Sequence, residues 1–350
     1  MIAIDDGYGD LKIGTSALQG ASALQGNGHR FRVFPSKAIS GRVVRSRYVD
    51  GNFEIGGAPV LESEGSIFTI QDGANAEDTR FDDWPNSTLN RVLCRHAAAE
   101  MGMRDGDNLV TGLPMSVYFD RDGRVNQKAV QRRVESLKKP VIQHMPDGMQ
   151  RHLAIPGRIK IIPQGMAAIF DHLISEDGTM MQMEAVGVVD IGARTTDVAV
   201  YFLQEDGENA IEVSRSGGFR RGVSDLVDAL ALELQKALRL SVQPPLSMAA
   251  TSLRTGKFKA AGQEHNVDSQ RLHVLRTVLP DILQEAEQIL SAGRGVAGLM
   301  DLDRILLVGG GAYLAESIQL SLWEQTRIPQ SPELANARGM VKLGRVLENG

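Results

Sequence analysis

Two aspartates close apolar runs, and each is followed by the same kind of polar turn. Asp5 ends the run Met1–Ile4 and leads into Asp6-Gly7-Tyr8-Gly9, with Lys12 on the stretch that follows. Gly7 and Gly9 let backbone N–H groups approach an anion, the Asp5 carboxylate can hold metal-bound water, and Lys12 can return along the next strand to face a phosphate. Asp190 ends the run Met183–Val189 and leads into Ile191-Gly192-Ala193-Arg194-Thr195-Thr196, which sets backbone amides and two hydroxyls beside a carboxylate. A third turn, Gly309-Gly310-Gly311, opens a helix after the apolar run Asp303–Val308, where bare backbone can pack against a planar base or a phosphate. Each junction alone is a common strand-to-turn connection. Together they have the content to close on a single cleft between domains.

Strands must carry these turns. Asp10–Thr15 alternates, with Leu11 and Ile13 on one face, and reads as the strand returning from the first turn. Val198–Leu203 returns from the second in the same way. The layout of residues 2–15 thus recurs more than half the chain later, and the sequence reads as two copies of one α/β design. Phe31–Pro35, Arg42–Val49 and Asn52–Ile55 are short β-like pieces, with turn signals at Asp50-Gly51 and Gly56-Gly57, forming a small β-rich subdomain. Ser87–Met101 follows a helical period with Ser87 or Asn86 as its cap. Asn108–Gly112 and Arg158–Ile162 are strands, and Pro163-Gln164-Gly165 leads into an apolar helix, Met166–Ile174. The charged helix Asn126–Leu137, continued by Lys138 and Lys139, is either a solvated face or a basic surface for a partner. Further helices are expected at Val223–Leu240, at Ser269–Ala292, where Pro280 implies a kink or a break, at Glu316–Thr326 and at Ala335–Leu347. The repeat SALQG-A-SALQG at 16–26 has too few copies for a solenoid and reads as a variable loop or edge segment.

At 350 residues the chain has room for two domains. Hydrophobic residues at 42% and charged residues at 23% match globular usage and exclude a disordered or fibrous chain. With 38 Lys and Arg against 43 Asp and Glu, the net charge of −5 provides no field to coat nucleic acid. A single cysteine, Cys94 in a helical stretch, excludes a disulfide framework, and the 7 scattered histidines show no metal-ligand spacing. No membrane-length apolar window and no signal-peptide pattern occur, so a cytoplasmic chain is expected. Glycine, 37 of 350, exceeds the usual ~7%, and several of the excess fall in the turns above. The chain has no GxxxxGK[ST], no GxGxxG in a strand–turn–helix context and no GxSxG. A nucleotide reading therefore needs a fold with two β-hairpin phosphate loops.

IAIDDGYGDLKIG resembles the first phosphate loop of the superfamily uniting actin, sugar kinases and heat-shock-chaperone ATPases, and VVDIGARTTDVAVY resembles its second. ILLVGGGAYLA resembles the adenosine motif, and IIPQGMAAIF and LANARGMVKLG the two connecting helices, all in the family's order along the whole chain. The DDG opening, GLPMSVYFDRDG at 112–123 and the length are similar to ParM/StbA-type plasmid-segregation actins. The resemblance implies two duplicated RNase H-like domains with an interdomain nucleotide cleft. Domain I would be 1–163 plus 333–350 with the β-rich subdomain at 31–80; domain II would be 164–332 with a helical subdomain at 220–300. It further implies an ATPase that takes ATP/ADP and Mg2+ and polymerises head to tail. A ParR-type DNA-binding adaptor on a centromere-like site would be its partner, with no direct DNA binding and no membrane, in a bacterial cytoplasm and with a gene that could be plasmid-borne. The preference for ATP over GTP comes from the resemblance alone.

By the same resemblance, Asp5 matches the aspartate that positions Mg2+ through water, and Lys12 the phosphate-contacting lysine. Asp190 matches the second-loop aspartate that helps to hold metal and lytic water. Gln164 falls where the family carries a water-orienting Gln or Glu; ParM relatives tend to have Glu. An amide orients water but does not accept its proton, so slow hydrolysis is expected. The other implied nucleotide contacts are Asp6, Gly7, Tyr8, Gly9, Gly192, Ala193, Arg194, Thr195, Gly309, Gly310 and Gly311. The second loop usually has Gly-Gly after the aliphatic residue, whereas here it is Gly192-Ala193-Arg194, and Arg194 either adds a charge-assisted phosphate contact or points to solvent. The competing readings are a small-molecule kinase and a monomeric regulatory ATPase on the same fold; the kinase needs a substrate-facing aspartate base for which the sequence offers no compelling candidate.

Overall fold

The computed structural model describes residues 1–16, 29–43, 45–50, 52–73, 75–120, 122–181, 185–203, 209–320 and 322–349. The SALQG repeat, apart from Ser16, lies outside the described residues. The chain divides into two compact units, Met1–Met180 with Asn336–Gly350, and Met181–Ala335.

The first unit is built on a mixed sheet of β1 (Ile2–Asp6), β2 (Asp10–Ser16), β3 (His29–Pro35), β4 (Leu109–Leu113) and β5 (Ile159–Pro163), in the order β5-β4-β1-β2-β3. β1, β2 and β3 form an antiparallel meander, whereas β4 lies parallel to both β1 and β5. β1 and β4 are buried at every residue, as expected for strands covered on both faces. Because side chains alternate along a strand, Ile2 and Ile4 point one way and Ala3 the other. Ile2, Ile4, Leu11 and Ile13 pack on Val92, Leu93 and Ala97 of α1 (Thr88–Glu100). Ser87 caps α1 by accepting from the Asn90 amide at 3.1 Å, an arrangement that contributes about 1 kcal/mol. Beside it lies α2 (Gln127–Lys138), capped by Asn126. On the opposite face Ala3, Val110 and Ile162 meet Ala167 of α3 (Met166–Leu173) and Met340 and Val341 of the C-terminal helix Ala335–Asn349. A second sheet, with Ile39–Ser40, Val60–Ser63 and Ser66–Thr69 joined by Ile142–His144 and Gln150–His152, and the hairpin Arg45–Val49/Asn52–Gly56 make up the smaller β region.

The boundary expected after residue 163 falls instead after Met180. α3 is held by the C-terminal helix: Asp171 takes Arg338 at 2.7 Å and Lys342 at 3.0 Å, and the Gly339 backbone lies so close that a Cβ there would be 2.9 Å from the Asp171 amide.

The second unit repeats the plan. Its strands are β6 (Ala185–Ile191), β7 (Thr196–Leu203), β8 (Asn209–Ile211), β9 (Gly217–Phe219), β10 (Arg304–Val308) and β11 (Thr326–Arg327), in the order β8-β7-β6-β10-β11 with β9 also on β7. β6 is antiparallel to β7 and parallel to β10, as β1 is to β2 and β4. Val189, Ile191, Val198 and Val200 pack on α4 (Val223–Ala237), α5 (Leu246–Thr255) and α6 (Asp268–Leu290). Of the two readings at Pro280, α6 runs through it as one helix rather than two: Leu279, Ile282 and Leu283 on either side are seated in the core, and packing outweighs the lost hydrogen bond. The helix expected at Glu316–Thr326 is instead α7 (Gly310–Ser317), which starts within the glycine triplet and gives way before Gln319, whose φ is 49°.

Candidate functional site

The first hairpin pairs Asp5 with Lys12 and Asp6 with Leu11. Asp5 and Lys12 therefore share a face, and the Lys12 Nζ lies 3.5 Å from the Asp5 carboxylate. Between the strands, the turn is held from behind by its carbonyls. Ser36 Oγ donates to Gly7 O at 2.7 Å, Thr79 Oγ1 to Tyr8 O at 2.6 Å and the Ser36 amide to Gly9 O at 2.9 Å. Across a trans peptide the N–H points opposite the C=O, so the amides of Tyr8, Gly9 and Asp10 are directed the other way, as an anion-binding turn requires. Gly7 is needed here because a Cβ would meet the Asp10 carbonyl at 2.9 Å and Lys12 Nζ at 3.1 Å. The Tyr8 ring stacks on Trp84 with centroids 6.2 Å apart.

The Asp6 side chain faces the other way. It has the parity of Ile2 and Ile4 and is turned into the α1 and α2 side of the sheet, away from Asp5. There it accepts from Arg133 Nη2 and Asn90 Nδ2, each at 2.8 Å, and from Thr111 Oγ1 at 3.3 Å. Burial pushes this carboxyl above its ordinary value, while Arg133 and Asn90 draw it back. The nucleotide contact expected of Asp6 is therefore corrected for its side chain, which takes a supporting place behind the turn.

The second hairpin pairs Asp190 with Asp197 and Ile191 with Thr196, register for register the counterpart of Asp5/Lys12 and Asp6/Leu11. Its turn is again held by carbonyls, here by a helix N-terminus: the Val223 amide donates to Gly192 O at 3.0 Å and the Ser224 amide to Ala193 O at 2.7 Å. The amides of Ala193 and Arg194 consequently point away from α4, with Arg194 and Thr195 half-buried beside them. Thr196 is the reverse: its hydroxyl is buried and donates to Arg221 O at 2.8 Å. Asp197, 4% exposed, is the residue the sequence reading missed; the seven-residue spacing that links Asp5 to Lys12 places it opposite Asp190. β10 lies parallel to β6 with Val308 opposite Asp190, which brings Gly309 directly against this aspartate. Gly309 has φ 79°, and a Cβ there would strike Asp190 Oδ1 and lie 2.5 Å from the Ile191 carbonyl. Gly311 is equally tight on Ile191, whereas Gly310 is exposed with open space where a Cβ would stand.

Two family descriptions match these halves. "Actin like proteins N terminal domain" matches residues 3–166, and "Archaeal actin homologue MreB-like, C-terminal" matches residues 188–319. The fold is the actin-like one, and each half of the chain matches an actin-family description. Among solved structures, the ADP complex of Ta0583, an archaeal actin homolog, superposes with a TM-score of 0.71 at 22% identity, over 99% of both chains. A ParM filament of 15 strands from Clostridium botulinum superposes with a TM-score of 0.73 at 20% identity, over 99% of this chain and 98% of that one. A non-polymerisable quadruple mutant of pCBH ParM gives a TM-score of 0.73 at 22% identity, with the same coverage. At such identities the likeness is one of fold. No curated protein sequence matches the chain.

In this actin-like frame Gln164 stands between β5 and α3, ahead of Gly165 with φ 81°. Its amide donates to Leu113 O at 2.8 Å, and its side chain lies over Gly112, where a Cβ would be 2.7 Å from Cγ. Gly165 is tied to the C-terminal helix, its amide donating to Asn336 Oδ1 at 3.2 Å. Among the described residues no group of three or more His, Cys, Asp or Glu could hold a metal ion. The basic stretch Lys128–Lys139 is not one continuous surface: Arg133 is fully buried, Arg132 pairs with Asp83 at 2.7 Å and Lys139 with Glu64 at 2.7 Å. Cys94 is buried in α1, and burial pushes its thiol up to about 12. Among the described residues no helix is long and apolar enough to cross a membrane.

Proposed function

We propose that the chain binds ATP with Mg2+ through its two hairpin turns, hydrolyses it, and assembles head to tail into filaments that segregate plasmid DNA. One observation carries this reading: a strand-end aspartate followed by a turn whose carbonyls are tied back occurs twice in matching register. In the second copy Gly309 presses bare backbone against that aspartate. The ADP complex of Ta0583 and the filament of Clostridium botulinum ParM support the nucleotide and the polymer, respectively.

In this reading the amides of Tyr8, Gly9, Ala193 and Arg194 receive phosphate oxygens, and Lys12 adds a point charge. Asp5 and Asp190 would hold Mg2+ through water, and the cation supplies neutralisation of the charge on the phosphates. Gln164 orients the attacking water without accepting its proton, which makes turnover slow. Head-to-tail contacts are heterologous and leave an open end, the geometry of a filament. The net charge of −5 favours reaching DNA through an adaptor rather than directly. Negative-stain microscopy of the purified chain with ATP and Mg2+ tests the reading. Filaments that vanish when nucleotide is withheld are expected; dispersed particles in both samples would refute it.

A further inference from the structure

The Asp6–Arg133 pair is a costly way to hold a helix on a sheet. Arg133 is 0% exposed and Asp6 3%. Both charges are stripped of water, and an apolar pair of similar volume would serve stability as well or better. The second hairpin shows this within the same chain. The residue in register with Asp6 is Ile191, also 0% exposed, and it simply joins the apolar core. The shared fold therefore has no need of a charge at this position.

What the charge adds is direction. Four segments converge on the residue that immediately precedes Gly7. Arg133 of α2 reaches the Asp6 carboxylate at 2.8 Å and Asn90 Oδ1 at 2.7 Å, and also bonds Pro85 O. Asn90 of α1 and Thr111 of β4 donate to the same carboxylate. Trp84 donates to the Asp6 carbonyl at 2.9 Å while its ring stacks on Tyr8 inside the turn. Both the side chain and the backbone of Asp6 are thus clamped, and the clamp continues into Tyr8. α2 buries Arg133, Ser136 and Leu137: Leu137 packs in the apolar core, and Arg133 carries the polar link from this helix to Asp6.

We propose that the buried Asp6–Arg133 pair sets the geometry of the Gly7–Gly9 turn for nucleotide, with Arg133 acting as a positioning residue from the distant helix α2. The inference rests on the nucleotide reading above. The planar guanidinium holds one Asp6 oxygen through Nη2 while Nη1 is tied to Asn90 and Pro85, so the direction of the grip is fixed as well as its distance, which an aliphatic contact does not do. A turn that drifts by a fraction of an ångström keeps its fold but loses alignment of its amides.

The test uses the full chain and three variants, each with a melting curve without nucleotide, an ATP dissociation constant and a kcat and KM for phosphate release. The double variant Asp6→Asn/Arg133→Met removes both charges together and keeps the hydrogen-bonding shape at Asp6. It is expected to melt within a few degrees of the parent and to bind ATP about 10- to 100-fold more weakly, the scale of a misplaced binding group. Arg133→Lys, which retains charge without the fork, is expected to fall between the two. Arg95→Met is the control. Arg95 is as buried, but it bonds the Leu137 and Leu153 carbonyls and does not reach the turn, so it should lower the melting temperature and leave ATP affinity unchanged. Parent affinity and kinetics in a folded double variant would overturn the positioning role, as would weakened binding in Arg95→Met equal to that of Arg133→Lys. If the double variant does not fold, Arg133→Lys alone decides: unchanged ATP affinity overturns the proposal. A parent chain that binds no ATP would instead remove the nucleotide reading itself, and the proposal with it.

Discussion

The glycine triplet offers three neighbouring substitutions to alanine whose effects the structure ranks in advance. At Gly309 a methyl group must be placed on a residue with φ 79° and 2.5 Å from the Ile191 carbonyl. The backbone region costs roughly 1–3 kcal/mol for a residue with a side chain. Relieving the contact costs about as much again, as overpacking does. Gly309→Ala should thus destabilise by about 2–6 kcal/mol, which lowers the melting temperature on the order of 5–20 °C for a unit of this size. Gly311→Ala has no positive φ but would lie 2.5 Å from Ile191 Cβ, so only the overpacking cost of about 1–3 kcal/mol applies. Gly310→Ala meets nothing within 4 Å and sits at the start of α7, where alanine should stabilise by roughly 0.4–1 kcal/mol. Thermal melting of the three proteins without nucleotide gives the ranking, and ATP titration separates stability from binding. If bare backbone at Gly310 packs against the base, Gly310→Ala will be the most stable of the three and yet bind ATP at least ~10-fold more weakly than the parent. Equal losses of stability at all three positions would refute the packing argument. A Gly310→Ala protein with parent affinity would refute the base contact.

Lys12→Ala removes the cation that faces Asp5 at 3.5 Å, and calorimetric titration should show ATP binding weakened by about 10-fold or more. Gln164→Glu supplies a group able to accept a proton from water, and phosphate release per filament subunit should rise by about 10-fold or more in a coupled assay. Cys94, with its thiol pushed up to about 12, is ionised to only about one part in ten thousand at pH 8 and should stay unmodified by Ellman's reagent until the chain unfolds. Reaction of the native protein on the timescale of a free thiol would contradict its placement.

Much of this arrangement is legible in the amino-acid sequence. The two hairpins were legible because an apolar run, an aspartate, a glycine turn and an alternating return form a local pattern, and local patterns survive in sequence. The same holds for the Ser87 cap, where a hydroxyl precedes a helical period. The extent of α7 is not legible, because glycine is a poor helix former and the sequence does not mark an end at Ser317; the backbone turns left-handed at Gln319. Proline weakens an isolated helix and so signals a break or a kink at Pro280, whereas Leu279, Ile282 and Leu283 hold one continuous helix in a core built by distant segments. Asp6 illustrates a signal that was present and unused. Its parity with Ile2 and Ile4 already assigns it to the buried face, yet its partner Arg133 lies in a helix whose charges read as solvated surface. No short-range pattern connects those two residues. Asp197 was equally reachable, since it repeats the spacing from Asp5 to Lys12.

The claim that this chain is a nucleotide-switched polymer is tested most directly by light scattering of the purified protein at tens of micromolar, a range suited to transient interfaces, before and after adding ATP with Mg2+. The account predicts a rise that needs ATP, sets in above a threshold protein concentration and reverses as the nucleotide is consumed. Scattering that stays flat with ATP across that range, or that rises equally without nucleotide, would contradict it.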